Sequence, residues 1–157
     1  MCRLNLPPFP MNLRRNAGGD TLIYDRLRRR FVVLTPEEWV RQHFTAYLMQ
    51  LGYPQSLMAN EVGLSLNGTR RRCDTVVWDN HGQPAVIVEY KAPSVAISQP
   101  VFDQIVRYNM VLQARLLMVS NGMRHFCCEI DHLSGSYRFM HEIPAYGYIA
   151  ATVDQKK

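Results

Sequence analysis

Residues 59–66 read ANEVGLSL, residues 67–68 are Asn67-Gly68, residues 70–78 read RRRCDTVVW, and after the turn Asp79-Asn80-His81-Gly82 residues 85–91 read AVIVEYK. Alternating apolar and polar residues on both sides of Asn-Gly are the strongest short hairpin signal. A second polar turn then returns the chain, so the segment predicts a three-stranded antiparallel meander. A two-residue Asn67-Gly68 loop pairs Leu66 with Thr69, and counting back along both strands sets Glu61 opposite Asp74. A second turn centred between His81 and Gly82 sets Asp74 opposite Glu89 and Arg72 opposite Lys91. Opposed side chains share a face with Cβ atoms about 4.5–5.5 Å apart. The register therefore predicts a row of three carboxylates, Glu61, Asp74 and Glu89, with Lys91 two residues further along. The other face, Val62, Leu64, Leu66, Thr75, Val77, Val86, Val88 and Tyr90, reads as a core surface.

Working outward, Thr35-Pro36-Glu37-Glu38 opens a helix with an N-cap, a proline at the first position and acids in the first turn. Its stripe of Val40, Phe44, Tyr47, Leu48 and Leu51 runs to Gly52-Tyr53-Pro54. Before it lie an irregular Pro-, Asn- and Arg-rich arm over residues 1–20 and two short extended pieces, 21–24 and 31–34. After the meander the pattern predicts a helix over 99–113, a buried-type strand over 115–120, strands over 124–131 and 137–141, and a tail from 146 to 157 with little pattern. This order predicts an α/β (α+β) domain over residues 21–145, a central mixed sheet flanked by helices.

The chain has 157 residues, 47% apolar and 20% charged, a globular composition that excludes coiled-coil and collagen-like repeats. No apolar run approaches the ~18 residues of a membrane span, and residues 1–10 have no apolar leader core, so a soluble, cytoplasmic protein is expected. Of 18 basic side chains seven fall in residues 1–30 (Arg3, Arg14, Arg15, Arg26, Arg28, Arg29 and Arg30), against two of the 13 acids, which leaves eleven of each sign elsewhere. A basic segment on a neutral body suits phosphate contacts, although it also serves solubility. Cys2, Cys73, Cys127 and Cys128 make no C-x-x-C or zinc spacing with the histidines, and the last three are expected to pack as small hydrophobes.

Like charges set opposite one another are destabilising unless something compensates them. Mg²⁺ takes one or two carboxylates and keeps several waters, which makes it the economical candidate. The competing reading is a solvated face neutralised by Arg70, Arg72 and Lys91. On the first helix Glu37 lies at the edge of the apolar stripe, whereas Glu38 points away. On the second, Gln104 and Tyr108 are four apart and share the stripe of Val101, Val111 and Leu112.

Asp74, then Glu89-Tyr90-Lys91, then Gln104-x-x-x-Tyr108 resembles the nuclease signature D…E-x-K…Q-x-x-x-Y of the PD-(D/E)XK superfamily. With the 35–42 helix start, the Arg-x-Cys-Asp run and Val119-Ser120-Asn121-Gly122, residues 23–143 look like the N-terminal nuclease domain of type I restriction enzyme R subunits. The resemblance implies a restriction-endonuclease-like core and Mg²⁺-dependent hydrolysis of a DNA phosphodiester, with Mn²⁺ as a substitute. It implies Asp74, Glu89 and the Tyr90 carbonyl as metal ligands and Glu37 as the helical carboxylate near the metal; the register row adds Glu61, and Glu37, Glu38 and Glu61 stay open as the third carboxylate. Lys91 would orient the attacking water, and Gln104 and Tyr108 would order the site or meet DNA. Arg28, Arg29, Arg30, Arg70 and Arg72 are the candidate phosphate contacts. Cys73 stands where the signature has proline. The sequence holds no G-x-x-x-x-G-K-[ST], so no ATP site is expected, and the domain would pair with itself or serve helicase or restriction-complex subunits. The alternative is a non-catalytic DNA-binding or accessory module that keeps the fold, and a third reading makes the polar face a protein partner surface.

Overall fold

The structure is a computed structural model that describes residues 1–153. Strands β1 (Leu13–Arg15), β2 (Thr21–Asp25) and β3 (Arg30–Val33) form a small antiparallel sheet in the order β1-β2-β3. Helix α1 (Pro36–Gln50) follows, capped by the Thr35 hydroxyl, which accepts from the Glu38 N–H at 3.0 Å. The meander is β4 (Met58–Leu66), β5 (Thr69–Trp78) and β6 (Pro84–Tyr90). Helix α2 (Gln99–Asn109) carries the chain over to β7 (Leu116–Ser120), which lies parallel to β6. Strands β8 (His125–Asp131) and β9 (Ser136–Phe139) complete a six-stranded mixed sheet in the order β4-β5-β6-β7-β8-β9, and α3 (Tyr146–Val153) closes the described chain. The predicted α+β class and mixed sheet are what the chain forms.

Both faces of the large sheet are buried. Helix α1 lays Val40, Phe44 and Leu48 against Val77, Val86, Val88, Tyr90, Leu116 and Met118. Helix α2 lays Phe102 and Val106 against Cys73, Val76, Ile87, Leu117, Val119 and Cys128. With a helix on each face, β6 and β7 are almost continuously apolar, the pattern of doubly covered strands. Val88, on β6, is fully buried on the α1 side of the sheet. Val88→Ala is expected to cost about 2 kcal/mol and lower the melting temperature by roughly 4–8 °C, measured by thermal denaturation.

The hairpin register holds, with Leu66 opposite Thr69 and Asn60 opposite Thr75. Its side-chain faces do not. Met58 packs in the α1 layer, yet Val62, four residues along the same strand, packs with Leu64 and Cys73 in the α2 layer. Between them Glu61 takes the left-handed conformation (φ 57°) and drops out of the ladder. The irregularity rotates the outer half of the hairpin by one face, so the single core surface expected from Val62 to Tyr90 is split between two layers. The second register also holds where β5 meets β6, Thr75 opposite Val88 and Val77 opposite Val86, with a bulge at Trp78. The ladder ends at Thr75. Arg72 and Lys91 are therefore not paired, and the Lys91 N–H instead donates to the Ser120 carbonyl at 2.9 Å.

The first twenty residues are not an irregular arm throughout. They contribute β1, bury Leu4, and join the body through the Asn5 N–H on the Gly122 carbonyl at 2.8 Å. Gly122 takes φ 82°, and a Cβ there would stand 2.7 Å from a Leu4 methyl, so this turn has room for glycine alone. Beyond residue 145 the expected tail is α3, whose Ile149 is buried in the α1-side core; residues 154–157 lie outside the described residues. The helix expected to run to 113 ends at Asn109 in a 3-10 turn, Met110–Leu112, closed by left-handed Gln113. Cys73, Cys127 and Cys128 are buried free thiols, as expected.

Candidate active site

The candidate site forms where β5 and β6 part company. Past the Thr75–Val88 pair, Asp74 turns its side chain into the gap, and its Oδ2 accepts the Tyr90 N–H at 2.8 Å. A carboxylate thus takes the place of a ladder partner, which ties the acid of one strand to the backbone of the next. Tyr90 itself is fully buried, with its hydroxyl 2.9 Å from Thr75 Oγ1, which in turn donates to Asn60 Oδ1 at 2.6 Å. This polar chain pins the strand that carries Glu89 and Lys91 on either side of Tyr90.

The Asp74 carboxyl lies close enough to Glu89 to act on its ionisation. Burial first, and then the adjacent charge of Asp74, push Glu89 up to about 8; Asn109 Nδ2 at 3.5 Å and Lys91 only partly offset this. Two carboxyl groups in one desolvated corner cannot both ionise cheaply. Glu37 at the start of α1 is largely exposed, yet partial desolvation and then the charge of Asp74 raise its carboxyl as well. It belongs to the same field as Asp74, Lys91 and Glu61.

The pH consequence follows from the sign of the Glu89 shift. A carboxyl whose folded value lies above its unfolded value near 4.5 stabilises the fold fully below that value and loses the contribution as pH rises through about 8. In EDTA the protein is therefore expected to lose melting temperature between pH 5 and pH 8.5, and Glu89→Gln to flatten that loss. An identical slope in both proteins would contradict the shift.

Arg41, which the sequence marks only as a position on α1, is central. Its side chain is 5% exposed, and its guanidinium contacts Glu38 (3.2 Å), Asp74 (3.4 Å) and Glu61. Glu38 does not point away: it is buried and bonded by Arg28, Arg41 and Gln42. Glu61 completes the row in position but not as an open donor, since Arg41 holds one of its oxygens and Arg72 the other. Burial alone would raise the Glu61 carboxyl; the two guanidiniums outweigh it and hold it below its ordinary value.

Helix α2 turns differently from the sequence expectation. Its buried face is Phe102, Val106 and Asn109, and Gln104 and Tyr108 face outward. The polar side chain that α2 sends to the carboxylates is Asn109, whose amide also donates to the Ile105 carbonyl at 2.9 Å. Tyr108 meets Arg71 instead: the guanidinium lies 4.3 Å from the ring centroid, and its Nε donates to the Tyr108 carbonyl at 3.1 Å. Arg28, expected on phosphate, is spent on Asp25 and Glu38. Arg29, Arg30 and Arg70 are exposed, and Arg72 is exposed while paired to Glu61.

Asp74 and Glu89 offer two hard oxygen donors side by side, and this fits a cation that keeps most of its water. Among the described residues no cluster of three or more His, Cys, Asp and Glu side chains is arranged to hold a metal ion, so carbonyl oxygen and water would make up the remainder.

A mixed sheet between two helices thus carries paired acids and a lysine where two of its strands separate. Residues 36–144 match the family described as the N terminus of type I restriction enzyme R proteins, and the chain belongs to that family. The fold is similar to the fragment structure of a putative HsdR subunit of a type I restriction enzyme from Vibrio vulnificus YJ016, with TM-score 0.55 and 17% identity over 78% of this chain. This chain spans 26% of that fragment. No curated protein matches the sequence significantly. Among the described residues no helix is long and apolar enough to cross a membrane.

Proposed function

We propose that this chain is a Mg²⁺-dependent DNA endonuclease domain of the PD-(D/E)XK type, acting on phosphodiesters and working with separate restriction-complex or helicase subunits or as a pair. The convergence of Asp74, Glu89 and Lys91 where β5 and β6 part, with Asp74 tied to the Tyr90 N–H, is the observation that carries this reading. Asp74 and Glu89, with the Tyr90 carbonyl, would hold the ion, and Mn²⁺ would fit the same oxygen donors. Bound there, the ion supplies Lewis acidity and a water of lowered pKa. Lys91, whose charge acts on Glu89 and Glu37, orients the attacking water and balances negative charge growing on the phosphorus oxygens. Asn109 fixes the Glu89 carboxyl from the side opposite α1. Arg41 holds Asp74 in place. Gln104 and Tyr108, facing outward on α2, suit a contact with the DNA backbone rather than a role among the acids.

One observation favours a second reading, a non-catalytic DNA-binding or accessory module. The Arg41 guanidinium already lies against Asp74 and Glu61, so part of the acid charge is balanced within the protein. Calorimetric titration with Mn²⁺ separates the two. Saturable binding that is lost in both Asp74→Asn and Glu89→Gln is expected for the enzyme, and binding that neither substitution changes sinks it.

A further inference from the structure

We propose that the small sheet β1-β2-β3 is a docking surface for the phosphate backbone of duplex DNA, separate from the carboxylate site and held rigidly beside it. The inference deepens the nuclease reading, since it says where the substrate is gripped. The sheet occupies residues 13–33, ahead of the segment 36–144 that matches the family.

Charge is the first argument. Arg14, Arg15, Arg26, Arg29 and Arg30 are all exposed on this sheet and its turns. Among the described residues none of the five makes an ion pair, whereas Arg28, Arg41, Arg72, Arg115 and Arg138 all do. Asp20, the exposed acid of the region, is engaged with Asn16 through its carboxylate at 3.0 Å. Asp25 is buried against Arg28 and Asn60, and Asp20 pairs with none of the five, so at most one exposed negative charge stands against five positive ones. Five guanidiniums without an ion-pair partner on one small sheet and its turns favour an anion with regularly spaced charge.

Rigidity is the second. A guanidinium on a long side chain loses entropy on binding unless something holds it beforehand. Arg14 lies 3.8 Å from the centroid of the Phe31 ring, and Phe31 stacks edge-on against Tyr24 at 5.3 Å. Arg29 sits at φ 53° at the apex of the β2–β3 turn, in a left-handed conformation imposed by the turn. The Asp25 carboxylate, accepting the Leu27 and Arg28 N–H groups, fixes that turn from below at 2.7 and 3.1 Å.

The third is the link to the acids. Arg28, in the middle of the turn, pairs with Asp25 and with Glu38; Glu38 pairs with Arg41; and Arg41 pairs with Asp74 and Glu61. Asn60 adds a second tie, donating to Asp25 at 2.9 Å while accepting from Thr75. A backbone bound by Arg26, Arg29 and Arg30 is thus kept in fixed register with Asp74.

The test is fluorescence anisotropy with a 30-base-pair duplex in EDTA, at several salt concentrations. It uses the parent chain, Arg14→Gln/Arg15→Gln, Arg29→Gln/Arg30→Gln, and Arg107→Gln/Arg138→Gln as a control of equal charge loss. Both sheet variants are expected to weaken binding on the order of tenfold and to flatten the salt dependence by ~0.9 per contact removed, with melting temperature unchanged. The control is expected to stay within about twofold of the parent. Sheet variants that bind with the parent's affinity and slope overturn the surface, and leave an acidic protein partner as its use. The same variants assayed for cutting keep the two readings apart: a parent that cuts DNA while the sheet variants bind normally removes only this inference, and a parent that binds no duplex at low salt removes both.

Discussion

With Mg²⁺ and plasmid DNA, the Lys91→Ala and Glu89→Ala proteins are expected to lose cleavage by at least about a hundredfold to a thousandfold, the scale of removing one preorganised charge from a transition state. Both are expected to stay folded. Lys91 is half-buried at the end of β6 with its backbone secured to Ser120, so truncating its side chain leaves the strand in place. Glu89 sits in a corner where its own ionisation is resisted by burial and by Asp74, so its removal leaves no opposite charge unpaired. A lost cut with a retained or raised melting temperature in EDTA is the signature of a functional group kept at a cost in stability. Cleavage by Glu89→Ala at the parent's rate would show that the acids serve something else.

Arg41→Met is expected to have the largest effect on stability, on the order of 3–5 kcal/mol, or about 10 °C in melting temperature. The guanidinium bridges Glu38, Glu61 and Asp74 from a position only 5% exposed, and removing it leaves the charge of Glu38 and Asp74 under-compensated in a desolvated layer. Arg41→Lys is expected to recover little, because a compact ammonium cannot span three carboxylates as a planar fork does. Adding Glu61→Gln to Arg41→Met should restore part of the loss, since it removes a like charge beside Asp74 that Arg41 had been balancing. A melting temperature within about 2 °C of the parent for Arg41→Met would show that the network is solvated and that Asp74 is held by Tyr90 alone.

The fold was legible where turn chemistry and period agreed. Asn67-Gly68 set the hairpin register correctly, and Thr35-Pro36 placed the start of α1 to the residue. What the register could not carry was the left-handed Glu61, because nothing in a non-glycine residue announces a positive φ, and that one conformation moved Val62 and Leu64 to the other layer. Asp74 and Glu89 were reachable from spacing because the ladder between β5 and β6 keeps the expected register from Val77 to Thr75. Arg41 and Asn109 were not, since each reaches the acids from a helix whose rotation about its axis depends on packing. On α2, the stripe through Gln104 and Tyr108 competed with one through Phe102, Val106 and Asn109, and the larger buried volume of Phe102 decided it. The N-terminal strand β1, three exposed residues long, has no apolar alternation to read; only its pairing with β2 makes it a strand.

The central claim is that this domain cuts DNA with a metal held by Asp74 and Glu89. Incubating the parent chain with supercoiled plasmid in Mg²⁺, in Mn²⁺ and in EDTA, with Lys91→Ala run alongside, tests it most directly. The account predicts nicked and linear products in either metal, none in EDTA, and none from Lys91→Ala. Intact plasmid in every lane, from protein that binds the same DNA, would contradict it; so would cutting that persists in EDTA.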